Sequence, residues 1–342
     1  MSTPVIDADA HVIESDRTWE FMREEDAAHK PRVLVPRDGG PDEYWLVEGR
    51  AFRRNANVGD DTSPETREAS DIAKRLAHMD EMGVDVHVLY PSFFLTARTH
   101  HADTDYALAR AYNRWLADIW AQGGGRLRWA VIPPLFSMER AIEEIRFGKE
   151  HGACAVFMRG IEGDHRLSDP YMFPLYEEAI DLDMPICVHA AAGSMPAFDV
   201  VDRDFGFSKF KLPAVGAFHD LIMQGTPQRF PELRWGFIEI SASWLPYAMN
   251  DLALRFARQK RDWPGEDVLR ENNMWVACQT ADDLAYVIAC AGDDHIVIGT
   301  DYGHNDTATE ILALRNLRDG GKVSAATADK ILGVNAERLY AL

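Results

Sequence analysis

Near the start of the chain, Asp7, Asp9 and His11 alternate with Ile6, Ala8, Ala10 and Val12. Side chains of an extended strand alternate between its two faces, so this spacing puts the three polar groups together on one face. A buried carboxylate is costly unless it is paired or bound to a cation. Two arrangements meet that demand, a structural ion-pair network or a metal site. Other apolar runs end in matching groups, which favours the metal. His189 closes Ile186-Cys187-Val188, Glu239 closes Phe237-Ile238, and Asp301 follows Ile298-Gly299-Thr300 with His304 three residues on. Each has a plainer reading by itself: a packed histidine, a buried acid, a solvated loop. Taken together, imidazole and carboxylate donors suit Zn²⁺, Mn²⁺ or Fe²⁺ better than Mg²⁺.

The elements that would carry these residues alternate along the chain. Strands are expected at 5–11, 84–90, 128–132, 153–158, 185–189, 234–240, 274–278 and 295–299, and helical patterns lie between them. Strands separated by helices imply right-handed βαβ units, and eight units over this length predict an α/β fold, a (β/α)8 TIM-like barrel. A doubly wound open sheet is the alternative. It usually carries a glycine-rich phosphate loop after its first strand, whereas here that strand runs Asp7-Ala8-Asp9-Ala10-His11. Barrel active sites lie at the C-terminal ends of the strands, where Asp9, His11, His189, Glu239 and Asp301 all fall. Residues 14–68 interrupt the repeat. Within them Glu48-Gly49 separates two strand-like runs, which predicts an inserted β-hairpin near the barrel mouth. The loop 190–210 is a second irregular stretch and a candidate lid. The whole chain, 1–342, is expected to form one barrel domain.

Composition narrows the functional classes. The 342 residues carry 36 Lys+Arg and 55 Asp+Glu, a formal net charge of −19, with 46% hydrophobic residues. That is ordinary for a globular protein and excludes broad disorder. The acidic balance argues against nucleic acid and anionic membranes as partners. It also means that an anionic substrate needs local positive charge. The four cysteines are far apart in apolar surroundings, as expected of reduced thiols in a cytoplasmic protein. No targeting segment and no membrane span are expected.

Four stretches, in this order and spacing, resemble the amidohydrolase superfamily, and within it the branch of aminocarboxymuconate-semialdehyde and resorcylate-type decarboxylases. They are Ile6-Asp7-Ala8-Asp9-Ala10-His11-Val12-Ile13-Glu14, Asp169-Pro170 with Pro185-Ile186-Cys187-Val188-His189, Phe230-Pro231-Glu232-Leu233-Arg234, and Gly299-Thr300-Asp301-Tyr302-Gly303-His304. The resemblance implies one divalent metal held by Asp9, His11, His189 and Asp301. Zinc is the expected ion, with manganese or iron as alternatives. Asp9 stands where the family often has histidine, and Glu239 replaces a histidine given an acid/base role. The end of the fourth strand, Phe157-Met158-Arg159-Gly160, lacks the lysine or glutamate that bridges two metals in other branches.

On this reading Arg159 either clamps a substrate carboxylate or forms a salt bridge at the barrel rim. His304 orients a ligand or touches substrate. Arg53 and Arg54 on the hairpin either lean over the site or face solvent. Trp244 either walls the pocket or staples a helix start, His219 packs on its helix, and His100 and His101 face solvent. The implied activity is non-oxidative decarboxylation of a small cyclic or unsaturated carboxylic acid, with Asp301 or Glu239 delivering the proton. The rival is hydrolysis or hydration through an activated water. A third reading is a barrel that has lost catalysis and only binds. The resemblance also implies a homo-oligomer.

Overall fold

In the computed structural model, residues 3–37, 40, 42–201 and 203–342 are described. Eight parallel strands form one sheet: β1 Ile6–Val12, β2 Val86–Pro91, β3 Leu127–Val131, β4 Ala153–Arg159, β5 Ile186–His189, β6 Trp235–Ile238, β7 Met274–Cys278 and β8 Ile296–Ile298. They pair in chain order from β1 to β8. Nearly every strand residue is buried, as a parallel sheet covered by its crossover helices requires. Helix boundaries follow local chemistry. Asp71 caps Ile72–Met82 by accepting the Lys74 N–H, and Gly83 ends that helix at φ 75°, a left-handed conformation that glycine adopts without Cβ strain.

The sheet curls into a barrel, and its last seam is made mostly by residues just beyond β8. The Asp301 N–H donates to the Asp9 carbonyl at 2.8 Å, and the His11 N–H donates to the Tyr302 carbonyl at 3.0 Å. Gly299 permits this approach. A Cβ there would lie 2.2 Å from the Asp9 Cβ and 2.7 Å from the Asp9 nitrogen. The seam therefore sets Asp9 beside Asp301, two residues nearly three hundred positions apart in the chain.

The expected grouping of Asp7 with Asp9 and His11 is corrected by the structure. The β1–β2 register shifts between Asp7 and Ala10, so one extra residue sits in β1 and strict alternation fails. Asp7 is turned to a structural task. Its carboxylate accepts the Asp9 N–H (3.2 Å), the Thr300 N–H (3.0 Å) and the Thr300 hydroxyl (2.6 Å). It also lies 3.5 Å from His87 Nε2. Burial pushes its pKa up to about 7, against the bonds from Thr300. Beside it, buried Arg75 lies 3.6 Å over the Tyr302 ring and donates to His87, the His11 carbonyl and the Thr66 carbonyl. These contacts brace the seam from the helix side.

The insertion is larger than a hairpin. Tyr44–Val47 and Arg50–Arg53 pair as expected, turning at Glu48 and Gly49 with φ 49° and 82°. A third strand, Arg32–Leu34, adds to Tyr44–Val47, and two 3-10 turns precede it. The stretch 190–210 contains the short helix Met195–Val200 and part of a helical turn, Phe207–Lys211. No helix of the described residues is long and apolar enough to cross a membrane.

Candidate metal centre and active site

At the C-terminal end of the barrel, Asp9, His11, His189 and Glu239 bring one donor atom each within 4.8 Å of one another, and His11, Glu239, Asp301 and His304 do the same. His11 Nε2 lies 3.4 Å from both Asp9 Oδ1 and Asp301 Oδ1, and His189 Nε2 lies 3.2 Å from Asp9 Oδ1. Donors around a tetrahedral ion with bonds near ~2.1 Å stand about 3.4 Å apart, so these spacings fit a single small cation.

The protonation states fit as well. His11 Nδ1 faces the Pro91 carbonyl at 3.1 Å, which fixes its N–H there and aims the Nε2 lone pair at the cluster. Nε2 is buried and has no hydrogen-bond partner; Glu239 Oε2 is orphaned in the same way. Burial, reinforced by the field of His304, pushes the His11 pKa down to about 4, so the ring is neutral. Burial alone would raise Asp9, but its histidine neighbours, His11 and His189, outweigh it and hold the carboxyl below its usual range. Buried polar atoms rarely go unpaired, and a cation in the cluster would give the His11 Nε2 lone pair a partner.

Two acids behave in the opposite way. Burial, then the field of Asp306, pushes Asp301 well above the ordinary carboxylate range. Burial, then the fields of Asp301 and Asp306, does the same to Glu239, which also hydrogen-bonds Asp306. Both occupy left-handed backbone, with φ 62° at Glu239 and 53° at Asp301. That conformation is costly for residues with a Cβ and is typically retained where surrounding structure and function demand it. Here it turns each carboxyl inward just past the end of its strand. Asp301 is further fixed by Thr309 Oγ1, donating at 2.6 Å to Oδ2, and by His304 Nδ1 at 2.7 Å from Oδ1. His304 Nε2 meets the Ser92 hydroxyl at 2.7 Å.

Above the cluster opens a cavity of about 1200 Å³, with Glu239 and His304 in its lining and the inserted sheet and residues 198–199, 204–207 and 209–211 around it. Arg53 lines this cavity and pairs with Asp42 at 2.7 Å; Arg54 pairs with Glu43. Arg159 takes the salt-bridge alternative. Its Nε and Nη2 grip Glu162 at 2.5–3.1 Å, and it is absent from the cavity lining. Trp244 is likewise outside the lining. Its ring packs on Phe218, and its Nε1 donates to the Ser241 carbonyl at the start of the helix Leu245–Arg258. His219 pairs with Asp251, and exposed His101 reaches Glu48 on the hairpin turn.

Pattern reading missed Asp306. It follows His304 in a loop without periodicity and has no local signal in the chain.

The model of the family described as Amidohydrolase matches residues 6–342, and the chain belongs to that family. No curated protein matches it in sequence. Among solved structures, an amidohydrolase from Mycobacterium avium subsp. paratuberculosis is similar at a TM-score of 0.81 and 21% identity, covering 99% of this chain and 100% of that one. A 5-carboxyvanillate decarboxylase from Novosphingobium aromaticivorans, complexed with manganese and 4-hydroxy-3-methoxy-5-nitrobenzoic acid, is similar at 0.73 and 19%, covering 99% and 96%. A dihydroxybenzoic acid decarboxylase from a Polaromonas species, with manganese and 2-nitroresorcinol, is similar at 0.69 and 20%, covering 100% and 98%.

Proposed function

We propose that this protein is a divalent-metal-dependent decarboxylase of a small cyclic or unsaturated carboxylic acid. The observation that carries the reading is the gathering of buried histidine and carboxylate donors within ion-sized distances at the C-terminal end of the barrel, with Glu239 and His304 opening onto the cavity. The manganese-bound decarboxylases of the same fold support it. Asp9, His11, His189 and Asp301 would hold the ion, and the donor set accepts manganese or zinc. When bound, the metal supplies Lewis-acid polarisation of the substrate carboxylate and a neighbouring oxygen.

The chain's own groups do the rest. Two acids that share a site and cannot both ionise easily retain a proton near neutral pH. Asp301 delivers that proton to the carbon bearing the carboxylate, and carbon dioxide then departs from the anchored group. Glu239, bonded to Asp306, stores the replacement proton. His304 and Thr309 keep Asp301 from rotating away from the substrate.

Glu239 also supports hydrolysis or hydration, since a carboxylate beside the donors suits the activation of water. One experiment separates the two. Manganese-loaded and zinc-loaded protein is incubated with hydroxybenzoic, dienoic, lactone and amide substrates in D₂O and, separately, in H₂¹⁸O. Decarboxylation releases carbon dioxide and leaves deuterium on the carbon that carried it. Product containing ¹⁸O without carbon dioxide release would refute the decarboxylase reading.

A further inference from the structure

Two tyrosine hydroxyls meet inside the barrel beneath the donor cluster. Tyr90, from β2, and Tyr340, from the helix Asn335–Tyr340, bring their Oη atoms to 2.9 Å. Tyr340 donates its own proton to the Ala8 carbonyl at 2.9 Å. A phenol has one proton to give, so Tyr90 must donate to Tyr340. Both side chains are buried. Ala8 comes just before Asp9 on β1, in the stretch where the β1–β2 register shifts. The buried Cys187 thiol, two residues before His189 on β5, neighbours both hydroxyls. Arg234, just ahead of β6, donates to the Leu339 carbonyl at 2.8 Å. The helix therefore enters from the N-terminal end of the strands, opposite the cavity.

Tyr90 carries this anchor to the donors. It stands opposite His11 in the β1–β2 register. Its ring lies 4.9 Å from that of His189 and 6.3 Å from that of His11. The next residue, Pro91, supplies the carbonyl that faces His11 Nδ1 at 3.1 Å. One dipeptide thus sets both imidazoles, by ring packing at His189 and by a hydrogen bond at His11. Phe157 packs on the His189 ring as well, at 5.9 Å. Groups behind a metal ligand fix the direction of its lone pair, and a buried aromatic ring is itself fixed when its polar end is bonded.

We propose that Tyr90 and Tyr340 are positioning residues of the metal centre. The hydrogen bond between them holds the Tyr90 ring and, through it, the aim of His189 and His11 at the ion. Neither tyrosine touches the ion or the substrate. The proposal rests on the metal-centre reading of the donor cluster and is independent of the reaction assigned to it. It makes the docking of the helix Asn335–Tyr340 a part of the metal site.

Metal-free wild type, Tyr90→Phe, Tyr340→Phe and the double variant are titrated with manganese. Their cobalt forms are compared by visible absorption, which reports ligand geometry. Each single variant is expected to lose roughly 10- to 100-fold in manganese affinity and to shift the cobalt bands. Both changes remove the same hydrogen bond, so the double variant falls no further than Tyr340→Phe. Leu339→Ala is the control. It loosens the same helix, where Leu339 lies against Gly236 of β6, and leaves both hydroxyls in place. It should lower the urea midpoint and keep the wild-type cobalt spectrum and manganese affinity. Tyrosines that merely filled space would behave like Leu339→Ala. Wild-type affinity and spectrum in the two tyrosine variants, or additive losses in the double variant, overturn the proposal alone. Uptake of neither ion by wild type would refute the metal-centre reading, and the proposal with it.

Discussion

Replacing Gly299 by alanine tests the link between barrel closure and the metal centre. The new Cβ would meet the Asp9 Cβ at 2.2 Å and the Asp9 nitrogen at 2.7 Å. Ordinary contact between carbons is about 3.5–4.0 Å, so β1 and the end of β8 must separate by roughly 1.5 Å. The obstacle is backbone and the first side-chain carbon, not the flexible end of a long side chain. The cost should therefore sit at the upper end of overpacking penalties, about 3 kcal/mol. The same movement carries Asp9 away from His11 and His189, now 3.4 and 3.2 Å from its Oδ1. Metal sites tolerate only about 0.2 Å of bond-length error, so manganese affinity should fall by at least about 10- to 100-fold, the loss typical of disturbing the groups behind a ligand. Urea unfolding of stripped protein and calorimetric titration with manganese give the two readouts. Gly216→Ala, where the Cβ meets nothing within 4 Å, is the control for adding a methyl group. A Gly299→Ala protein with wild-type unfolding midpoint and wild-type manganese affinity would refute the reasoning.

Asp301→Asn should abolish turnover and weaken metal binding, because it removes both the charge and the acid; full activity in a carbon dioxide assay would rule out its role. Arg159→Met leaves Glu162 buried without its partner and should destabilise the protein by about 3–5 kcal/mol in urea unfolding; a change confined to substrate preference would return Arg159 to the substrate. Asp7 makes a pH prediction. Its folded pKa, near 7, lies above the ordinary 3.8, so its contribution to stability is full below pH 3.8 and is lost as pH rises through about 7. Unfolding midpoints of stripped protein should decline over that window, and Asp7→Asn should decline less steeply; parallel profiles would exclude the assignment.

Much of this site is legible along the chain because a barrel converts position into function. Any polar residue that ends a buried strand must arrive at one rim. That logic places Asp9, His11, His189, Glu239 and Asp301 at one rim, where two overlapping donor groups share His11 and Glu239, with Asp9 and His189 in one and Asp301 and His304 in the other. It fails for Asp7, because alternation assumes an unbroken strand and one extra residue in β1 breaks it. It fails for Arg159, because Glu162, three residues on, captures the guanidinium before a ligand can. Trp244 misses the cavity for a similar local reason, held by Phe218 and by the first turn of its own helix.

By itself the sequence determined the eightfold alternation of strands and helices, the inserted hairpin and the types of donor at the strand ends. These follow from side-chain periodicity and backbone preference, which act over a few residues. Tertiary structure alone decided which acids are charged. Glu239 and Asp301 are raised by burial first and then by the acids around them, Asp301 and Asp306 for Glu239 and Asp306 for Asp301. Electrostatic state depends on neighbours in space and on exclusion of water, and neither is written in the order of residues along the chain.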